Sequence, residues 1–245
     1  MFYCLVIYMQ LSSREISLVA CFAALYVAVS FIPASPFPLI GGEGYIDAST
    51  VISLVIGVVL GPLLGGLAVI TGGIIAPFII PSLTLGAYTF IPHAMAAVCA
   101  GALKKGKQTV CVLIYLLSFI FFAFFPSIGP FWTWPLMLWF HLIALALMAS
   151  PAQTWAAKEI NSEKSSSMSI GIAITFLTST VCSQAVGSII FEFLKLGSGN
   201  PDYWRTIVWQ PLTFIYPIER LIITAIATVI AAPILKALKT QRFKI

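Results

Sequence analysis

The sequence predicts an all-α, polytopic helical membrane protein with about eight transmembrane helices. Three observations lead to this class: 60% of the 245 residues are apolar, 9% are charged, and the mean hydropathy is +1.04. A chain of this composition would expose very large apolar patches if it folded in water. Apolar runs close to the roughly 20 residues that a bilayer requires recur along the chain. We therefore expect a single integral membrane domain over 1–245, with a short N-terminal extension at 1–12 and a basic tail at 239–245.

The first helix is expected to begin at about Ser13, because Ser12 and Glu15 have the spacing of a capping box. The second helix, at about 20 Å, is too short for a hydrocarbon core of about 30 Å. It follows a Pro- and Gly-rich loop, and irregular backbone at membrane depth needs surrounding protein or a wet cavity. Hydrophobic periodicity predicts eight helices in all. They are 14–33, 48–60, 63–80, 86–103, 109–126, 133–157, 168–195 and 212–238.

The basic residues favour one orientation. If the N-terminus is cytoplasmic, ten of the thirteen Lys and Arg residues fall on that side, and only Lys195, Arg205 and Arg220 fall on the other. The positive-inside rule then predicts a multi-pass plasma-membrane protein with both termini in the cytoplasm. Orientation also accounts for the net charge of +5, so no nucleic-acid partner is expected. Polar chemistry collects at the outer face, where five acids are expected: Glu43, Asp47, Glu192, Asp202 and Glu219.

Glu43 and Asp47 lie on the loop before the second helix. We expect this loop to fold inward over a cavity that is open to the outside; the alternative is that both are ordinary solvated loop acids. Tyr45, Tyr88 and Trp132 are expected near the same outer ends. Each fits an interfacial anchor, and each also fits a ligand contact, since a Trp that turns inward can stack on a planar heterocycle.

Two histidines start from the outer side of their helices at similar depth. His93 follows Pro92 in the fourth helix, and His141 lies in the sixth. A neutral imidazole both donates and accepts hydrogen bonds, so the pair is a candidate for binding one small ligand. Hydrogen bonding between helices is the alternative for each. No His-x-x-x-His or His-x-x-Glu pair is present and the five cysteines are scattered, so we expect no metal site.

Glu219 and Arg220 lie several residues inside the last helix, where either charge needs a partner. Adjacent helical residues point about 100° apart and are not expected to satisfy each other well. Arg220 is therefore expected to pair with Glu192 near the outer end of the seventh helix, or to clamp a substrate carboxylate or phosphate.

Small residues repeat at intervals of four in two places. Ala20, Ala24 and Ala28 form a flat stripe on the first helix, where another backbone can approach closely. This stripe is either a docking face or an internal packing face. The same interval separates Gly57, Gly61 and Gly65, which lie on either side of a Gly-Pro turn. We expect these glycines to pack internally.

The segments REISLVACFAALYVAVSFIP, YIDASTVISLVIGVVLGPLLGGLAVITGGI and LGAYTFIPHAMAAVCAGALKKGK resemble, in order and spacing, the substrate-binding S component of energy-coupling factor (ECF) transporters. The resemblance covers roughly residues 12 to 107. It implies a membrane protein that captures a vitamin-like micronutrient at its outer face. It also implies a transmembrane T component, which docks on the alanine stripe, and cytoplasmic ABC-type ATPases that power release inward. The family usually has six helices, so the expected eight comprise that core and an extra pair.

Other classes of function fit the sequence less well. A membrane enzyme needs a recognisable nucleophile, acid/base pair or metal cluster, and no such motif is present. We therefore expect no catalytic residue and no cofactor. A standalone secondary transporter or a lipid scramblase is the alternative, in which Glu219 and Arg220 would act in coupling; no convincing repeat between the two halves supports it.

Overall fold

The computed structural model describes residues 11–38, 45–80, 85–195, 197 and 199–242 of the chain. Each of the eight predicted helices corresponds to helical structure, and the protein is an all-α, polytopic membrane protein. The α-helices are α1 (Ser13–Val29), α2 (Ser49–Leu60), α3 (Pro62–Ile79), α4 (Phe90–Lys104), α5 (Gln108–Ala123), α6 (Pro130–Thr133), α7 (Trp139–Ala149), α8 (Pro151–Glu159), α9 (Ser165–Leu194), α10 (Pro201–Tyr203) and α11 (Gln210–Arg242).

The start of α1 is confirmed. The Ser12 hydroxyl accepts from the Glu15 backbone N–H at 3.3 Å, and the Glu15 carboxylate accepts from the Ser12 backbone N–H at 2.9 Å, which completes the capping box. Helix α1 ends at Val29, four residues before the predicted end. The chain becomes extended at Pro33, where a strand begins.

A small antiparallel hairpin precedes α2, where the sequence predicted irregular backbone. Strand β1 (Pro33–Pro38) pairs with strand β2 (Tyr45–Asp47), with Pro33 opposite Asp47 and Pro38 opposite Tyr45. The residues between the strands, which include Glu43, lie outside the described residues. Helix α2 follows with 12 residues, so it is as short as predicted.

The predicted helix at 133–157 is not one straight helix. A 3₁₀ turn (Pro135–Leu138) leads into α7, and α7 and α8 meet at an angle of 66°. Pro151 has no N–H to continue the hydrogen-bonding ladder, and the Ser150 hydroxyl instead accepts from the Ala152 N–H at 3.2 Å and caps α8. The Ser-Pro pair was a visible start signal inside the predicted range.

Four helical segments of the described chain are long and apolar enough to cross a membrane, and the bent pair α7–α8 makes a fifth if it is one span. The four are Pro62–Ile79, Gly86–Lys104, Ser165–Leu194 and Pro201–Thr240; the last runs through a π-helical turn (Trp204–Trp209) into α11. Helices α2 and α5 are shorter apolar helices. The sequence predicted about eight transmembrane helices, so some of the helical segments are shorter than a full span.

The core has two hydrophobic clusters that share α4 and α9. One cluster lies where α1, α2, α3 and α11 pack around these two helices, and the other lies between them and α5 and α7. Gly57 of α2 allows the closest approach: a Cβ there would overlap the Ala97 carbonyl oxygen of α4. A Cβ on Gly65 of α3 would come within 3.0 Å of the Gly57 Cα. The prediction that these glycines pack internally is confirmed.

Candidate functional site: a polar cavity at one end of the bundle

A cavity of about 80 Å³ lies at the end of the bundle where α2 and α4 begin and α9 ends. This is the end that the sequence predicts to face outward. Five segments of the chain contribute to its walls. The lining residues are Asp47, Thr50, Leu85, Thr89, Pro92, His93, Ser183, Gln184, Gly187, Ser188, Phe191, Tyr216 and Arg220. The structure thus brings together three of the predicted site residues, Asp47, His93 and Arg220, with polar residues of α9.

His93 joins three helices beside the cavity. Its Nδ1 lies 2.6 Å from the Tyr26 hydroxyl of α1 and 3.0 Å from the Ser49 hydroxyl at the start of α2. Its Nε2 lies 2.9 Å from the Thr50 hydroxyl. If Nε2 carries the proton, His93 donates to Thr50 and accepts from Tyr26 or Ser49. His93 therefore satisfies both interpretations of the sequence: it is hydrogen-bonded between helices, and it also lines the cavity.

Asp47 ends strand β2 and is 2% exposed, so its side chain is not that of a solvated loop acid. Its Oδ1 accepts from the Ser49 backbone N–H at 2.7 Å. This bond satisfies one of the donors that the N-terminus of α2 leaves unpaired, and a carboxylate is favoured at that end of a helix. Asp47 consequently both starts α2 and contributes to the cavity wall.

Arg220 extends from α11 toward the cavity and is 5% exposed. Its Nη2 lies 3.3 Å from Oε2 of Glu219, its Nη1 lies 3.3 Å from the Thr180 hydroxyl, and its guanidinium lies 5.9 Å from the centre of the Tyr216 ring. Arg220 thus does form an ion pair with Glu219, but one contact at 3.3 Å agrees with the expectation that these neighbours do not satisfy each other well. The Arg220 Nε has no partner among the described residues. The guanidinium of Arg220 has five N–H groups, and its two hydrogen bonds of 3.3 Å leave some of them without an acceptor.

Gln184 is the feature that sequence analysis missed. It is 6% exposed, lines the cavity, and neither its amide oxygen nor its amide nitrogen has a hydrogen-bond partner among the described residues. Ser183 and Ser188 lie beside it, and the Ser183 hydroxyl donates to the Pro92 carbonyl at 2.7 Å. Thr180, Gln184 and Ser188 are each four positions apart and Ser183 is three from Thr180, so these polar residues cluster on one side of a membrane helix. That spacing was a signal available in the sequence.

His141 and Glu192 do not line the cavity. His141 packs against Phe122 and Tyr115 in the second hydrophobic cluster, with the Tyr115 hydroxyl 3.2 Å from its Nδ1. Glu192 is fully buried one turn beyond Ser188, and neither of its carboxyl oxygens has a partner within the described chain. The expected pairing of Glu192 with Arg220 is therefore wrong; Arg220 contacts Glu219 instead. Because His93 lines the cavity and His141 does not, the expectation that the two histidines bind one ligand is wrong.

Two of the three predicted aromatic residues, Trp132 and Tyr88, lie on the surface. Trp132 is 57% exposed, and its ring lies 5.2 Å from the Phe131 ring and 5.8 Å from the Phe124 ring. Tyr88, in a 3₁₀ turn before α4, is 51% exposed. Both positions suit interfacial anchors. The backbone of Tyr45 pairs in the hairpin, and Glu43 lies outside the described residues.

The alanine stripe of α1 is not used for internal packing. Ala20, Ala24 and Ala28 are exposed, whereas Ala23 and Tyr26, on the other face of the helix, are buried. A Cβ on Gly72 of α3 would meet the Ala23 carbonyl oxygen at 2.7 Å, which shows how closely α1 and α3 pack there. The stripe is thus accessible to a second molecule.

Comparison with known proteins places these features in a family. The uncharacterized protein MJ0923 of Methanocaldococcus jannaschii is 30% identical over 199 residues, which are 80% of the chain and 63% of that relative. The chain thus spans less than two thirds of the length of this relative. No solved structure matches. The family of ECF-type riboflavin transporter S components matches residues 10–183, a range that begins before α1 and includes Asp47, His93 and Ser183. The chain therefore belongs to the family of ECF-type riboflavin transporter S components.

Proposed function

We propose that this protein is the substrate-capture subunit of a micronutrient uptake transporter, and that the cavity binds the substrate. The observation that carries the proposal is the buried Gln184 amide, which has no partner within the described chain. A buried polar group without a hydrogen bond is costly, so natural proteins rarely keep one without a use. A bound ligand would supply the missing bonds.

The chemistry of the cavity favours a planar, nitrogen-containing ring. A primary amide presents a donor and an acceptor side by side, and an imide edge presents the complementary pair. Phe191 and Tyr216 provide aromatic walls, and the Arg220 Nε provides one more donor. A flavin ring has such an edge, and the name of the family indicates riboflavin. We propose riboflavin or a related flavin as the substrate, with its imide edge against Gln184.

A binding experiment tests this assignment. We expect the purified protein to quench riboflavin fluorescence in a saturable way. Replacing Gln184 by Leu removes two neutral hydrogen bonds of about 0.5–1.5 kcal/mol each, so affinity should fall about 5- to 150-fold. Gln153→Leu is the matched control, because the buried Gln153 amide already bonds Thr175 and Thr178 at 3.0 Å and does not line the cavity. This control should lower stability and leave the affinity unchanged.

Two results would contradict the proposal. Saturable binding that Gln184→Leu does not weaken would move the substrate away from this cavity. Absence of binding to riboflavin and to every member of a vitamin panel would reject the capture function. Binding to another vitamin in the panel would keep the capture function and replace the substrate.

We further propose that the cavity faces outward in the plasma membrane, and that a T component and a pair of ABC-type ATPases complete the transporter. The distribution of Lys and Arg supports this orientation, and the exposed alanine stripe supports a docked membrane partner. Uptake into proteoliposomes should require the chain, the T component, the ATPases and ATP together. Uptake by the chain alone, driven by an ion gradient, would instead favour the secondary transporter.

A further inference from the structure

A second cavity, of about 250 Å³, lies at the opposite end of the bundle from the substrate cavity. It is formed where α4 ends, where α5 begins, and along α8. Leu103 and Ala157 give it an apolar floor, and Lys104 and Lys158 stand at its rim. We call it the lysine groove.

Three neutral polar side chains of the lysine groove, those of Gln108, Gln153 and Thr154, are already hydrogen-bonded. The Gln108 amide donates to the Met148 carbonyl at 2.8 Å and to the Ser150 carbonyl at 3.0 Å, and its oxygen accepts from the Thr154 hydroxyl at 2.6 Å. These bonds fix the walls across the bend between α7 and α8. Charge is therefore the main property of the groove that a ligand can recognise.

Among the described residues that line the groove, the ionisable ones are Lys104 and Lys158, and both are cationic. Lys104 donates to the Val58 carbonyl at 2.8 Å, and Lys158 is exposed. Lys105 and Lys107, also exposed, follow on the short turn between α4 and α5. The nearest acid in sequence, Glu159, has its Cβ against α9, where a Cβ on Gly171 would meet it at 3.1 Å. Within the described lining, an anion entering the groove would meet two cations and no carboxylate.

The surface beside the groove is apolar. Val110, Leu113 and Leu117 of α5 are 53%, 61% and 58% exposed, and they lead along α5 away from the groove. Trp155 of α8 is 42% exposed, as interfacial tryptophans are. A cationic rim next to an apolar helix face matches an amphiphile with an anionic head.

We propose that the lysine groove binds the phosphate headgroup of an anionic phospholipid, whose acyl chains lie along the exposed face of α5. Basic pockets between membrane helices on the cytoplasmic side commonly hold such headgroups. The bound lipid would link the end of α4, through Lys104, to α8, through Lys158, by one phosphate. Helix α4 also carries His93 of the substrate cavity, so this lipid would brace a helix that both sites share.

The test compares lipid retention by matched double variants. The wild type, Lys104→Gln/Lys158→Gln and Lys164→Gln/Lys236→Gln are reconstituted in nanodiscs of phosphatidylcholine with or without phosphatidylglycerol, and bound lipid is counted by native mass spectrometry. The control pair removes the same charge from exposed lysines that do not line the groove. Each groove lysine is worth about fivefold in affinity, so the groove variant should bind phosphatidylglycerol about 25-fold more weakly than wild type. The control should bind as wild type does.

Four outcomes would overturn the proposal. Equal weakening by both double variants would indicate general charge attraction, and no preference of the wild type for phosphatidylglycerol would remove the site. Chemical labelling of Lys158 separates lipid from free phosphate. If inorganic phosphate alone protects Lys158 as well as phosphatidylglycerol does, the groove is a free phosphate site. Loss of ATPase assembly in the groove variant without any loss of lipid would indicate a protein interface. If the double variant does not fold, Lys158→Gln alone, with an expected fivefold loss, decides the same question.

Discussion

The hydrogen bond between Tyr26 and His93 gives a sharp test of how the substrate cavity is built. The Tyr26 hydroxyl lies 2.6 Å from the His93 Nδ1, both residues are buried, and the bond joins α1 to α4. Tyr26→Phe removes only the hydroxyl. Because the Ser49 hydroxyl, 3.0 Å from the same nitrogen, remains as a partner, the imidazole is not left unsatisfied.

The expected cost is therefore that of one net hydrogen bond, about 1 kcal/mol, or about 2–4 °C in the melting temperature of a chain of this size. His93→Leu should cost more, because it removes the partner of three buried hydroxyls, those of Tyr26, Ser49 and Thr50. A double-mutant cycle of Tyr26→Phe with His93→Leu isolates the coupling between the two side chains.

The assay is thermal unfolding of the purified protein in detergent without substrate. Tyr115→Phe with His141→Leu is the comparison, since the Tyr115 hydroxyl lies 3.2 Å from the His141 Nδ1 in the second hydrophobic cluster. We expect stronger coupling for Tyr26 and His93, whose contact is shorter. A coupling energy indistinguishable from zero for Tyr26 and His93 would refute the reasoning that this bond holds α1 against α4.

Three more predictions follow from packing and exposure. Gly57→Ala should lower the free energy of unfolding by about 1–3 kcal/mol, because its Cβ would overlap the Ala97 carbonyl oxygen. Gly187→Ala is the control and should be tolerated, since its Cβ would meet Pro92 at an ordinary 3.5 Å. Thermal unfolding compares the two variants. Ala24→Leu, on the exposed stripe, should weaken co-purification with a T component and leave riboflavin affinity intact; a variant that fails to fold would refute docking. In a cysteine-free background, a membrane-impermeant thiol reagent outside intact cells should label Asp202→Cys and not Lys105→Cys, and the reverse result would invert the topology.

The fold was predictable from the sequence to the extent that local chemistry determined it. The capping box of Ser12 and Glu15 set the start of α1, and apolar runs located all eight helical segments. The bend before Pro151 was missed because the apolar run continues through it. Hydropathy measures how long a segment stays apolar, and the direction of the segment depends on the one missing N–H at Pro151.

The candidate site was predicted in part, and the two histidines show why. His93 and His141 gave the same signal, an imidazole near the outer end of an apolar helix, yet only His93 lines the cavity. Sequence position sets the depth of a residue, because the helical rise is fixed. It does not set the direction in which the side chain points, since in a membrane protein the lipid-facing side is as apolar as the packed side.

Polar periodicity recovers part of that missing direction. A single polar residue satisfies its bonds wherever a neighbouring helix offers a partner, as His141 does with Tyr115. Several polar residues on one helix face need a common polar surrounding, because hydrocarbon cannot satisfy any of them. Helix α9 carries such a face, with Gln184 at its centre and Ser183 and Ser188 beside it. In a chain this apolar, the face on which polar residues repeat indicates the cavity better than any single charged residue does.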